Sequence, residues 1–206
     1  MKLKLLSLIF LFGAVETSAI VEVRCLRARG YHAVPQVQAR RICDQFADKM
    51  TGEARVRTRL RRFTSIKSPF SRNLASIDQN DRLELLYSVK RAFNRMKNNY
   101  DINIAILPPI VDGGYDWIAG YAFQCRQYGH AYVTAMEKNV DGVYRIPQVT
   151  LAVAHEGSHV GGAKHRDYGE TRAYPCNIMD PNAMAYMCTN YLEQTVGDIQ
   201  RCAGRW

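Results

Sequence analysis

The chain has 206 residues, 47% of them hydrophobic and 23% charged. That balance suits one domain with a substantial core, and it excludes disorder, collagen and multi-pass membrane proteins. The net charge of +9 points to a solvated basic face or to acidic partners.

Lys2 and Lys4 precede an apolar run over Leu5–Val15, and Thr17-Ser18-Ala19 offers small residues for cleavage. Residues 1–19 therefore read as a signal peptide and 20–206 as the mature domain. The run is too short to span a bilayer comfortably, so no membrane span is expected after its removal. Six cysteines, at positions 25, 43, 125, 176, 188 and 202, fit three disulfides in an oxidising compartment without fixing their pairing. The absence of a CxxC pair argues against a cysteine-built zinc site.

Residues 35–50 read as a helix with Ile42, Phe46 and Met50 at four-residue spacing. Residues 54–62 read as a strand with Val56 and Leu60 on one side. The same stretch carries Arg55, Arg57, Arg59, Arg61 and Arg62. Three readings stay open for these: a solvated edge or face, a surface for acidic or sulfated partners, and a processing site cut after Arg62. No recognition motif accompanies the charge, so nucleic acid is not expected as a partner. Residues 81–97 predict a helix capped by Asp78 or Asn80, with Leu83, Leu86, Val89, Phe93 and Met96 on one face.

Ile102, Ile104 and Ile106 alternate with Asn103, Ala105 and Leu107 in a mostly buried strand that Pro108-Pro109 ends. Asp112-Gly113-Gly114 is a turn, and Trp117–Phe123 and Ala131–Met136 are further strands. Residues 148–161 predict a small-residue helix. Residues 189–201 predict a closing helix with Leu192, Val196 and Ile199 inward. The irregular alternation of helices and strands gives a mixed α/β (α+β) class.

The segment His155-Glu156-Gly157-Ser158-His159-Val160-Gly161-Gly162-Ala163-Lys164-His165 contains HExxH extended to HExxHxxGxxH. On a helix, residues four apart stand one turn above each other, so His155 and His159 can face one cation. Gly162 can end the helix in a left-handed conformation and let His165 return as a third ligand. Three neutral imidazoles with an open fourth position describe a catalytic zinc site, and Glu156 is placed to act on a water there without ligating the metal.

This pattern resembles the metzincin zinc endopeptidases, whose zinc motif is followed by a methionine-bearing turn. Cys176-Asn177-Ile178-Met179-Asp180-Pro181 is similar to that turn, and its context looks most like the adamalysin (reprolysin) branch. Asn103–Leu107 and Gly120–Cys125 resemble that branch's central strand and substrate-binding edge strand. The resemblance implies a catalytic domain with a mixed sheet, an active-site helix, a methionine turn and a C-terminal helix. It also implies one catalytic zinc, with Met179 as a support beneath the ligands. Gly120, Tyr121 and Ala122 are implied as the substrate strand, and residues 180–187 as part of the pocket beside the zinc. The implied bridges are Cys125–Cys202 and Cys176–Cys188, which leaves Cys25 with Cys43. A calcium site of the branch is not carried over onto Asp101.

The chain departs from the pattern where Gly157 and Ser158 stand inside HExxH and where Arg166 separates His165 from Asp167. The expected function is hydrolysis of internal peptide bonds of extracellular proteins by a secreted monomer. The alternative is a catalytically weak or inactive binding protein on the same fold, acting on a host or matrix partner.

Overall fold

Val21, Val23 and Cys25 alternate with Glu22 and Arg24 at the start of β1 (Val21–Arg29), the second strand across the assembled sheet. The computed structural model describes residues 19–30, 33–67, 81–96, 99–108, 120–134, 146–165, 177–179 and 188–206. After β1 come α1 (Gln36–Gly52), β2 (Thr58–Lys67), α2 (Asp81–Asn94), β3 (Ile102–Leu107), β4 (Gly120–Ala122), β5 (Gly129–Thr134), α3 (Ile146–Val160) and α4 (Glu193–Ala203). The five strands form one sheet in the order β2-β1-β3-β5-β4, parallel except for β4, which runs antiparallel to β5. This is a mixed α/β fold.

Parallel strands need helical crossovers, and the helices then cover both sheet faces. β3 is accordingly buried at every position. One face, lined by Val21, Val23, Cys25, Ile102, Ile104, Ile106, Ala131 and Val133, packs against α1 and α3. The other, lined by Leu26, Ala28, Ala105, Leu107 and Tyr132, packs against Leu85, Leu86, Val89 and Phe93 of α2. α1 buries Ala39, Ile42, Cys43, Phe46, Ala47 and Met50, a stripe at three- and four-residue spacing. A disulfide between Cys25 and Cys43 fastens it to β1.

The second face also holds a polar row. Arg24, Asn103 and His130 stand side by side on three neighbouring strands, all nearly inaccessible to solvent. Arg24 donates through Nε to Asn103 Oδ1 at 2.9 Å and through Nη2 to the Phe93 carbonyl at 3.4 Å. Its charge thus meets the C-terminal end of α2, where a cation is favoured. The ring of Phe93 lies 4.7 Å from the guanidinium, which replaces some of the lost hydration.

Several expectations shift. β1 was not anticipated. β2 begins at Thr58 and runs to Lys67, not over 54–62; Val56 is buried ahead of the strand, while Leu60 does pack on the core. Arg61 is an extra residue, since Val23 pairs with Leu60 but Arg24 with Arg62. Such a bulge rephases a strand, here bringing Phe63 onto the core face opposite Cys25. Arg61 and Arg62 lie inside this paired strand, so the suggested processing site is within the sheet. On α4 the buried residues are Thr195, Asp198, Ile199, Cys202 and Ala203, while Leu192 and Val196 are half-buried. Asn177 Nδ2 donates to Thr195 Oγ1 at 3.0 Å, and Cys202 is bonded to Cys125, and these ties set the face of α4 more than its apolar residues do.

Residues 1–18, the capping candidates Asp78 and Asn80, the 112–114 turn, Trp117–Ala119, Met136, Cys176 and 180–187 lie outside the described residues. Among the described residues no helix is long and apolar enough to cross a membrane.

Candidate metal centre

The HExxH segment lies in the last two turns of α3. His155 and Glu156 are buried, His159 is half-buried and His165 is exposed. The helix stops at Gly162, whose φ is 109°. Gly162 N donates to the His159 carbonyl and Ala163 N to the Ser158 carbonyl, both at 2.9 Å. These two bonds form a Schellman motif, which requires a left-handed residue at that position. A side chain there would also strike Cys202, whose Cβ lies 2.3 Å from an ideal Cβ at 162. The His159 carbonyl accepts a second bond from the backbone N–H of Cys125, and the otherwise orphan Val160 carbonyl accepts from that of Arg126. The Cys125–Cys202 disulfide then ties this junction to α4. Cys188 is also disulfide-bonded; Cys176, its expected partner, lies outside the described residues.

The reversal after Gly162 brings His165 beside the helical pair. The three Nε2 atoms are 3.0 Å (155–165), 3.2 Å (155–159) and 3.0 Å (159–165) apart. Four-coordinate zinc with imidazole nitrogens at 2.0–2.1 Å sets its ligands about 3.3 Å apart, so the cluster has nearly the right size. The other ring nitrogens support this role. His155 Nδ1 donates to the Ile178 carbonyl at 2.6 Å, and His159 Nδ1 to the Ala163 carbonyl at 2.8 Å. Those bonds fix the tautomers and leave two Nε2 lone pairs facing each other, which a cation would relieve. Burial, and then the adjacent His155, pushes His159 down to about 3, so the ring is neutral as a ligand must be.

Glu156 shares the helix with the pair. Burial pushes its carboxyl up to about 8; a cation held by the imidazoles would favour the carboxylate instead. Gly120 of β4 lies directly against it, since an ideal Cβ at 120 would be 2.5 Å from Glu156 Cγ. Tyr121 is largely exposed, and Gly120 and Ala122 are half-buried. β4 stands at the end of the sheet and, among the described residues, pairs only with β5.

Met179 is fully buried in the core under the sheet. Its backbone N–H donates to Asn177 Oδ1 at 3.2 Å, and Ile178 N donates to the Asn190 carbonyl at 2.8 Å. The turn that carries Met179 is thus anchored by Asn177 and presents the Ile178 carbonyl to His155. Sequence reasoning missed Asn177, Ile178 and Ala163, because two of the three act through backbone carbonyls. Asp101 accepts from Glu22 N at 2.8 Å and Gln127 Nε2 at 3.1 Å, so both of its oxygens already have protein donors.

The two departures inside HExxH have packing causes. An ideal Cβ at 157 would lie 2.6 Å from Phe46 Cζ and 2.9 Å from Ile104 Cδ1, so glycine lets α1 approach α3. Ser158 donates to the Ala154 carbonyl and accepts from the Tyr191 hydroxyl, joining α3 to the segment before α4.

No family model matches the sequence, and no curated protein matches it. The fold is similar to that of the archaemetzincin from Methanopyrus kandleri, with a TM-score of 0.62 and 15% identity over 92% of this chain and 98% of that one. It is also similar to metalloproteinase-II from Bacteroides fragilis, with a TM-score of 0.57 and 14% identity over 90% of this chain and 53% of that one. The chain therefore has a metallopeptidase fold and carries a three-histidine cluster on it.

Proposed function

We propose that the protein is a secreted zinc-dependent endopeptidase acting on extracellular proteins. His155, His159 and His165 hold the ion and Glu156 is the general base. The observation that carries this reading is the convergence of three Nε2 atoms within 3.0–3.2 Å, two of them on the helix that also bears the buried Glu156. When bound, zinc supplies polarisation of the scissile carbonyl and acidification of a water. Glu156 would accept a proton from the attacking water and return it to the leaving amine. Its burial against β4 keeps bulk solvent from the carboxyl. The outer edge of β4 at Gly120, Tyr121 and Ala122 suits an extended peptide bound through main-chain hydrogen bonds. Met179 supports the ligands through the turn that holds Ile178.

Secretion rests on the leader-like residues 1–19 and on the disulfides. The adamalysin-like placement rests on the sequence context of residues 176–181. The unusual Gly157 and Ser158 spoke for an inactive binding protein, but both have packing roles and so do not weigh against catalysis. The test is cleavage of a denatured protein with metal analysis alongside. Glu156→Ala keeps zinc and loses cleavage, whereas His159→Ala loses both. Parental cleavage by Glu156→Ala would overturn the mechanism.

A further inference from the structure

We infer that the β2 edge of the sheet is a binding surface for a linear sulfated polyanion, of the glycosaminoglycan class. Among the described residues β2 is an outer strand, paired on one side only. Between positions 55 and 62 it and its lead-in carry Arg55, Arg57, Arg59, Arg61 and Arg62, all exposed. Glu22 is the one carboxylate that pairs with them among the described residues, and two of them share it. Arg59 reaches Glu22 Oε1, and Arg61 Nε lies 3.8 Å from the same atom. The strip thus keeps a large excess of positive charge.

The bulge at Arg61 shapes this surface. Regular alternation would send Arg62 to the core face that takes Leu60. The extra residue instead pairs Arg62 with Arg24 and restores Phe63 to the core. Arg59, Arg61 and Arg62 therefore gather on the side away from α1 and α3, next to the buried Arg24. Burial is the main cause that disfavours protonation of Arg24, and the charge of nearby Arg62 adds a smaller push in the same direction. Arg24 Nη1 has no hydrogen-bond partner among the described residues. Clustered arginines bind oxyanions through paired N–H groups, and a polyanion along the strand would relieve their mutual repulsion.

A sulfated glycan fits better than nucleic acid. The strip exposes no aromatic ring for base stacking, since Phe63 packs on the core. The disulfides fit an oxidising, extracellular setting. The strip and β4 are opposite edges of the five-stranded sheet, about 19 Å apart at the usual strand spacing. A bound polyanion would thus hold the protein in place and leave the β4 edge open. This inference stands independently of the peptidase reading.

The experiment measures binding of the full mature chain to heparin across a salt series. The Arg59→Ala/Arg61→Ala double variant is compared with Lys90→Ala/Arg126→Ala, which removes equal charge beside Phe123 near the β4 edge. The expected result is that the first pair lowers the slope of log affinity against log salt by about two, roughly one per lost contact. The second pair should change it by less than half as much, with unchanged melting for both. Equal effects of the two pairs would show a response to net charge alone and overturn the site. Equal or tighter binding of single-stranded DNA, or of unsulfated hyaluronan, would overturn the partner class.

Discussion

The backbone of Gly120 on β4 lies against the side chain of Glu156 on α3, so that an ideal Cβ at 120 would stand 2.5 Å from Glu156 Cγ and 3.0 Å from its Cδ. The same Cβ would be 2.6 Å from the Tyr132 carbonyl, a backbone atom with little freedom to move. The carboxyl must therefore yield or β4 must shift. On the peptidase reading, Gly120→Ala lowers kcat at least tenfold, because a displacement of about 1 Å at a reacting group is costly. The three atoms nearest that Cβ belong to Glu156 and Tyr132 and to none of the three histidines, so zinc stoichiometry is expected to stay at the parental value. Full activity in a folded Gly120→Ala variant would mean that the side chain of Glu156 does not need this position.

Gly157 presents a contest between two effects. Alanine raises helix propensity by about 1 kcal/mol over glycine. Against this, the new Cβ meets Phe46 at 2.6 and 2.8 Å and Ile104 at 2.9 Å, and overpacking of this kind costs about 1–3 kcal/mol. Phe46 is fully buried between α1 and α3, so its ring has nowhere to swing. Gly157→Ala is expected to lower stability by about 1 kcal/mol in urea denaturation. Adding Phe46→Leu should make the alanine less harmful than it is alone. A Gly157→Ala chain more stable than the parent would refute the α1–α3 contact.

The metal cluster was legible because a fixed spacing on a helix is a geometric statement, and the left-handed Gly162 completes it. The strands were harder. β1 is buried on both faces yet contains Arg24 and Arg27, so it shows neither a clean alternation nor a continuous apolar run. β2 was misplaced because the bulge at Arg61 breaks its period, and no residue type announces a bulge. The inward face of α4 was misread because Thr195 and Asp198 are buried polar residues, one tied to another segment and one to the next turn of its own helix. Thr195 meets Asn177, and Asp198 meets Arg201. The carbonyls of Ile178 and Ala163 that orient His155 and His159 leave no trace in residue identity.

His130 gives a pH dependence that belongs to the fold. Burial, followed by the charges of Lys90, Arg24 and Arg126, pushes it down from 6.5 to about 4, and its ring lies 5.4 Å from that of Phe93. The unfolded chain binds the proton more readily, so stability falls as pH falls. The contribution is intact above about 6.5 and is lost progressively from there to about 4. At 1.36 kcal/mol per unit the ceiling is about 3 kcal/mol. Urea denaturation at pH 7.5 and pH 4.5 should show a larger loss for the parent than for His130→Gln. Acid loss of the metal is common to both chains and cancels in that comparison. Equal losses would remove His130 as the cause.

On the peptidase reading, metal binding and folding are coupled at the C-terminal end of α3. His165 is exposed and follows the reversal at Gly162, whereas His155 is fixed by the Ile178 carbonyl of another segment and His159 by the Ala163 carbonyl at the start of the reversal. An ion bridging all three joins the end of α3 to the turn at Ile178, and it binds the folded chain only. At a free metal concentration a thousand times the Kd, that linkage adds about 4 kcal/mol. For a domain near 200 residues this is roughly 8–16 °C in Tm, at 2–4 °C per kcal/mol. Chelation is therefore expected to lower Tm by about 10 °C, and readdition of zinc to restore it. In His159→Ala the chelator should shift Tm by less than a third as much. Glu156→Gln should keep the full shift, since the carboxyl is not a ligand. If His159→Ala melted with the parental chelator response, the ion would be bound somewhere other than at these three rings.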